Sequence, residues 1–173
     1  AGFAGAVSGV AALVADSIDS ESTIVAATVS VSGTSDIGGN VTTTGEQAYN
    51  GAVTLTADVT FTGVDSDSDN EGVDFGSTVD GGTNNLTVSG GAGFAGAVSN
   101  VNALASDTVD SEATIDATTV NVTGVSDLGG NVTTTGDQTY GANITLTDNV
   151  EIDGANVNVT GNIDGAFNLV LDG

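Results

Sequence analysis

Apolar residues recur at every second position through much of this chain, with threonine or serine between them. Val29 and Val31, Val53 and Leu55, Val59 and Phe61, and Leu86 and Val88 are the clearest pairs. A period of two places successive side chains on opposite sides of an extended backbone, so these runs predict half-buried strands with one apolar side. Gly33, Gly38-Gly39-Asn40, Gly45, Gly63 and Gly90 separate the runs and predict tight turns. The stretch from Phe3 to Ala15 is less regular. Val7, Val10, Leu13 and Val14 are spaced by three and four as in a helix, but Gly2, Gly5 and Gly9 would each weaken a helix by about 1 kcal/mol relative to alanine. It is therefore assigned to the strand pattern.

The pattern is written twice. Asp36 to Tyr49 returns as Asp127 to Tyr140, and Ala1 to Ser8 returns without change as Ala92 to Ser99. The offset of 91 holds without a gap up to Gly63 and Gly154, with roughly 40 identities on the way, which makes this a repeat protein. Residues 1–91 form one copy and 92–173 the other. Their tails differ in length, mostly through the acidic run Asp65-Ser-Asp-Ser-Asp-Asn-Glu71 near 64–72 of the first copy. Inward positions exchange like for like, Val53 with Ile144 and Phe61 with Ile152, whereas outward ones exchange Thr60 with Glu151 and Thr62 with Asp153.

A unit of 82 residues divides into about four rungs of roughly 20 residues, each with two or three short strands, as in a stacked β-coil. The predicted fold is all-β, a parallel β-helix or β-solenoid of tandem repeats about 4.8 Å apart. A β-sandwich of antiparallel strands is the competing arrangement. A linear stack absorbs a length difference between copies more readily than a closed sandwich does.

Composition supports a narrow core. The chain has 26 glycines, five phenylalanines, two tyrosines and no tryptophan, so small β-branched residues must do most of the packing. No proline is present, which leaves every backbone N–H free to join a ladder. Lysine, arginine and histidine are absent against 23 acidic residues, a formal charge of −23. That balance excludes nucleic acid and anionic membrane surfaces as direct partners, and it predicts a rod whose stability rises with salt or with divalent cations. With no cysteine, disulfides and thiolate metal sites are excluded as well.

Few residues are suited to chemistry. Without histidine, cysteine or lysine only carboxylates and hydroxyls remain, and no pair of acids stands apart as a glycosidase pair would, so no catalytic residue is assigned and the chain is read as a non-enzyme. Asp65, Asp67, Asp69, Glu71 and Asp74 alternate as loop ligands of Ca²⁺ do, and they form the candidate metal site. They do not complete an EF-hand, because Asn70 stands where the turn glycine belongs and Gly76 where the closing glutamate belongs. A second, weaker acidic group occurs in both copies, as Asp16, Asp19, Glu21 and Asp107, Asp110, Glu112; a solvated face is the preferred reading of it. Six N-glycosylation sequons, at Asn40, Asn85, Asn121, Asn131, Asn143 and Asn158, arise largely from the alternation itself. Thr54 with Thr56 and Thr145 with Thr147 would suit ice binding only if Thr-x-Thr recurred in register on successive rungs.

The segment Gly129-Gly-Asn-Val-Thr-Thr-Thr-Gly-Asp-Gln-Thr-Tyr140, followed by Ile144-Thr-Leu-Thr147, resembles repeats of very large secreted bacterial proteins related to filamentous haemagglutinins and autotransporter passengers. The resemblance implies a right-handed parallel β-helix, export across the bacterial envelope and a place in surface fibres or adhesion. The function expected is thus an extracellular structural or adhesive fibre, with a calcium-dependent adhesin as the alternative. Copies of itself and divalent cations are the partners expected. Leu169 to Gly173 matches Leu86 to Gly90, which precedes Ala92 by one residue, so Ala1 of one unit is expected against Gly173 of another, as a covalent tandem or a head-to-tail filament.

Overall fold

In the computed structural model, which describes residues 1–66 and 70–173, the alternating runs form a single 24-stranded sheet wound into a coil of about nine turns. Every pairing is parallel, and the described residues contain no helix. The sandwich is thereby excluded. Each turn lays one short strand on each of three ladders. On the first face Gly2 pairs with Asp19, then Asp36, Thr54, Asp80 and Ser99. On the third, Val14 pairs with Ser30, then Ala48, Asp74, Gly93, Asp110 and Asp127.

The helix-like spacing of Val7, Val10 and Leu13 has a specific cause. They lie in the long strand Val7–Ala15, which bends across a corner and so serves two faces. Gly9, at φ +72°, marks a bulge where the register shifts between Val7 and Val10, and the corner itself falls between Val10 and Leu13, so inward residues stand three apart at each instead of two. The second copy builds the same bulge and corner in Val98–Ser106, with Asn100 at φ +55°, and asparagine is the residue that tolerates this region best after glycine.

The core is a column of inward side chains. Val31, Ile37, Val41, Phe61, Val73, Leu86, Leu128 and Ile144 are all fully buried. Tyr49, Phe75 and Phe94 stack face to face on consecutive turns, with centroids 5.7 and 5.2 Å apart, and Phe61 meets the first two edge-on. Two buried glutamines break the apolar rule. Gln47 Nε2 donates to Thr62 O at 2.9 Å and Tyr49 OH donates to Gln47 Oε1 at 3.0 Å; Gln138 and Tyr140 repeat this, with Asp153 O as acceptor at 2.7 Å. Burial holds both tyrosine hydroxyls in the protonated form by pushing their pKa values well above the usual one. Outside, asparagines step from turn to turn at the corners: Asn40 Oδ1 accepts from Thr60 N, Asn131 Oδ1 from Glu151 N and Asn143 Oδ1 from Asn162 N, each at 2.9 Å. Three of the six sequon asparagines thus accept a backbone N–H of the next turn, and a fourth, Asn85, accepts from Asn102 Nδ2 at 2.8 Å.

The two copies do not occupy the same faces. Gly2 stands on the first face and its equivalent Gly93 on the third, because the intervening strands make four turns and two thirds. The expectation of about four rungs per unit holds for the coil of about nine turns, but the first copy overruns a whole number by two thirds of a turn. Counted on the first face, turns also vary in length, from 17 residues between Gly2 and Asp19 to 26 between Thr54 and Asp80. The long one carries the acidic run. Ten residues, 63–72, join Val59–Thr62 to Val73–Phe75, where the second copy uses only 154–156 between Val150–Asp153 and Val157–Val159.

Charge is distributed by face. The first face carries Asp19, Asp36, Asp80, Asp116, Glu151, Asp153 and Asp172, and the third carries Asp74, Asp110, Asp127 and Asp164. On the second face two outward rows run in register. One is Val25, Thr42, Thr62 and Ser89; the other is Thr60, Thr87, Ala105, Asn121, Thr139 and Asn158. Neither row contains a carboxylate.

Candidate functional site

The most featured part of the surface is a hollow on the third face. Its centre is Gly93, with Asp74 one turn to one side and Asp110 one turn to the other. A side chain there would push the Glu71 carboxylate aside, since an added Cβ would overlap Glu71 Oε2 and stand 3.1 Å from Asp74 Oδ1. Glu71, Asp74, Asp110 and Glu112 line it, above a floor formed by residues 75–76 and 93–95.

The long corner is tied down where it returns. Gly72 N donates to Gly90 O at 2.9 Å, Thr108 Oγ1 donates to Asn70 O at 2.6 Å, and Asn70 N donates to Asp65 Oδ2 at 3.1 Å. Gly90 and Gly91 make this approach possible. Both have positive φ, +102° and +92°, and an added Cβ would overlap Gly63 O in one case and Asn70 O in the other.

Of the five acids predicted to bind metal, Glu71 and Asp74 meet at the hollow, and Asp65 holds the backbone of Asn70. Asp67 and Asp69 lie outside the described residues. Among the described residues no three acidic side chains come close enough together to hold a metal ion. The second group of candidates is divided. Asp110 and Glu112 join the hollow, whereas Asp107 Oδ2 accepts from Gly90 N at 2.9 Å. The first-copy equivalents Asp19 and Glu21 line a similar recess beside Gly2 and Phe3. That recess lacks the upper acids, and an added Cβ at Gly2 would meet nothing within 4 Å.

Asp80, on the first face, is held below its ordinary pKa by the N–H of Gly82 at 3.0 Å and the side-chain amide of Asn100 at 3.1 Å. The threonine pairs head no ladder. Thr54 lies between Asp36 and Asp80, and Thr145 between Asp127 and Asp164. Sequence reasoning missed the Gln–Tyr pairs. Their signal was a polar residue two positions from an inward tyrosine, Gln47-x-Tyr49, which forces both to the same side of the strand. Comparison with known protein families, characterised proteins and solved structures finds no match for this chain.

Proposed function

We propose that this chain is a rigid segment of an extracellular fibre or stalk, whose copies join head to tail into a longer solenoid. The observation that carries the reading is the junction between the two internal copies. The ladders run through residues 91 and 92 without interruption: Phe75 pairs with Phe94, Val79 with Val98 and Leu86 with Leu104, all of them at most 1% exposed. The equivalent residues at the two ends of the coil are Val159 and Phe3, Ile163 and Val7, Leu169 and Leu13, all only partly buried. A second copy set on the coil in the register of the internal junction would bring these pairs together and bury them. The resemblance to secreted bacterial repeats supports placement outside the cell and a part in adhesion.

Two copies joined Gly173 to Ala1 test the reading. Small-angle scattering should give one straight rod of about 90 Å, from some 19 turns at about 4.8 Å. Two bodies on a flexible hinge would overturn it. Protease treatment of intact producing cells tests the location, since an extracellular fibre is cleaved without lysis.

The acidic lining of the hollow at Gly93 favours a second reading, a calcium-dependent binding module, in which Glu71, Asp74, Asp110 and Glu112 would have to draw together around the cation to ligate it. Titration calorimetry with Ca²⁺ should show binding that is lost in the Glu71→Gln, Asp74→Asn double variant. Equal heats in both would end it.

A further inference from the structure

The second face is uncharged along its whole length in a molecule with 23 acids and no basic residue. Comparison of the copies shows where charge has changed: carboxylates are gained by elements that leave the second face and lost by one that enters it. Elements of the first copy on the second face land on the first face in the second copy, and there Val25 becomes Asp116, Thr60 becomes Glu151, Thr62 becomes Asp153 and Ser89 becomes Asp172, while Ser8, Thr42 and Thr87 become the neutral Ser99, Thr133 and Val170. Movement onto the second face works the other way, for Asp74 on the third face becomes Asn158 on the second. Elements that pass between the two acidic faces keep their acids: Asp19 and Asp110, Asp36 and Asp127, Asp80 and Asp164. Divergence indifferent to the surface would not sort carboxylates in this way.

We propose that the second face is the surface by which two copies of this chain pack side by side. Charge selects the partner. A cationic partner would be drawn to the first and third faces, whereas another copy carries the same −23 and can approach closely only where both surfaces are neutral. The face also offers no exposed aromatic ring on which a sugar could stack. Nine turns at about 4.8 Å by three residues at about 3.3 Å give roughly 430 Å² per rod, or about 860 Å² for the pair. That is below the roughly 1,200 Å² of stable complexes, so pairing of single chains is weak and gains by repetition along a fibre. Asp58, Asp107 and Asp137 stand at the edges of the face, so salt is needed to screen the rim.

The inference rests on the fold and not on head-to-tail joining, and scattering separates the two. In about 0.5 M salt, where the Debye length is down to a few ångströms, concentrated protein should show a two-fold rise in mass and in mass per unit length, with rod length unchanged. The triple variant Thr42→Asp, Asn121→Asp, Thr139→Asp should stay single. The control Thr54→Asp, Thr133→Asp, Thr145→Asp adds the same charge to the other faces and should pair as the parent does. Far-UV circular dichroism checks that each variant keeps its strands. A parent that stays single throughout, a control that fails as fully as the face variant, or a doubled mass with doubled length and unchanged cross-section would each overturn the proposal; the last would leave head-to-tail joining intact.

Discussion

The two copies share most of their text and differ in what surrounds it. Turned by a third of the coil, the second copy presents each element to a different neighbourhood, yet inward residues barely change: Tyr49 and Tyr140, Gln47 and Gln138, and Leu55 and Leu146 point into the same column whichever face supports them. Outward residues change with the face. A coil with one shared core therefore frees a repeat from having to match the turn, because the interior looks alike from all three sides. The copies also differ in bulk. Phe61 and Phe75 of the first copy correspond to Ile152 and Val159 of the second, so the aromatic cluster is confined to the first copy and the junction.

The sharpest test of that contrast is Phe75→Ala. Its ring lies between Tyr49 and Phe94 and touches Phe61, and its loss should cost about 3–5 kcal/mol in urea unfolding. The equivalent Val159→Ala, in a half-buried residue near the end of the coil, should cost about 1 kcal/mol. Equal losses would mean that the aromatic cluster adds nothing to the stability of its region.

The glutamines should behave in the opposite way. Gln47→Leu and Gln138→Leu each strand a tyrosine hydroxyl and two carbonyl oxygens, at a cost of about 2–3 kcal/mol, and the two values should agree although the residues sit on different faces. A mild Gln138→Leu beside a severe Gln47→Leu would break the claim that the core is indifferent to face.

Replacing residues 63–72 by Gly154-Ala155-Asn156 gives the first copy the corner of the second. Loop closure favours the shorter form by about 1 kcal/mol, offset by the lost bond from Thr108 to Asn70, so the melting temperature should move by only a few degrees. The smallest effect is expected at Asp80. Its lowered pKa contributes stability that is present above the usual aspartate value of about 3.9 and disappears as pH falls through the lowered value. Asp80→Asn should therefore lower the melting point slightly at pH 7, by about a degree because the group is exposed, and the gap to the parent should close under strong acid.

Much of this fold is legible in the sequence because parallel stacking keeps its rules local. A strand such as Val53–Leu55 announces itself by alternation, and Gly38-Gly39-Asn40 announces the corner before Val41–Thr43. What alternation does not carry is phase. Corners of two to ten residues are all compatible with the coil, so the number of residues per turn cannot be counted from the strands, and the face of any given strand stays hidden. The hollow at Gly93 depends on that phase. Glu71 and Glu112 are 41 positions apart and meet only because two turns intervene. Asp110 and Glu112 accordingly looked like part of a separate acidic group.

The direction of the ladders has a mechanical consequence. Backbone hydrogen bonds in all three sheets run along the coil axis, so a pull on its two ends loads them in tension and opens the rod one turn at a time instead of shearing many bonds together. Each turn of 17 residues from Gly2 to Asp19 would release about 55–60 Å of chain when drawn straight, and the 26-residue turn that holds the acidic corner would release about half as much again. A coil built this way lengthens by more than ten times its rung spacing for every turn it gives up, so under load it yields by stages before the chain itself is strained.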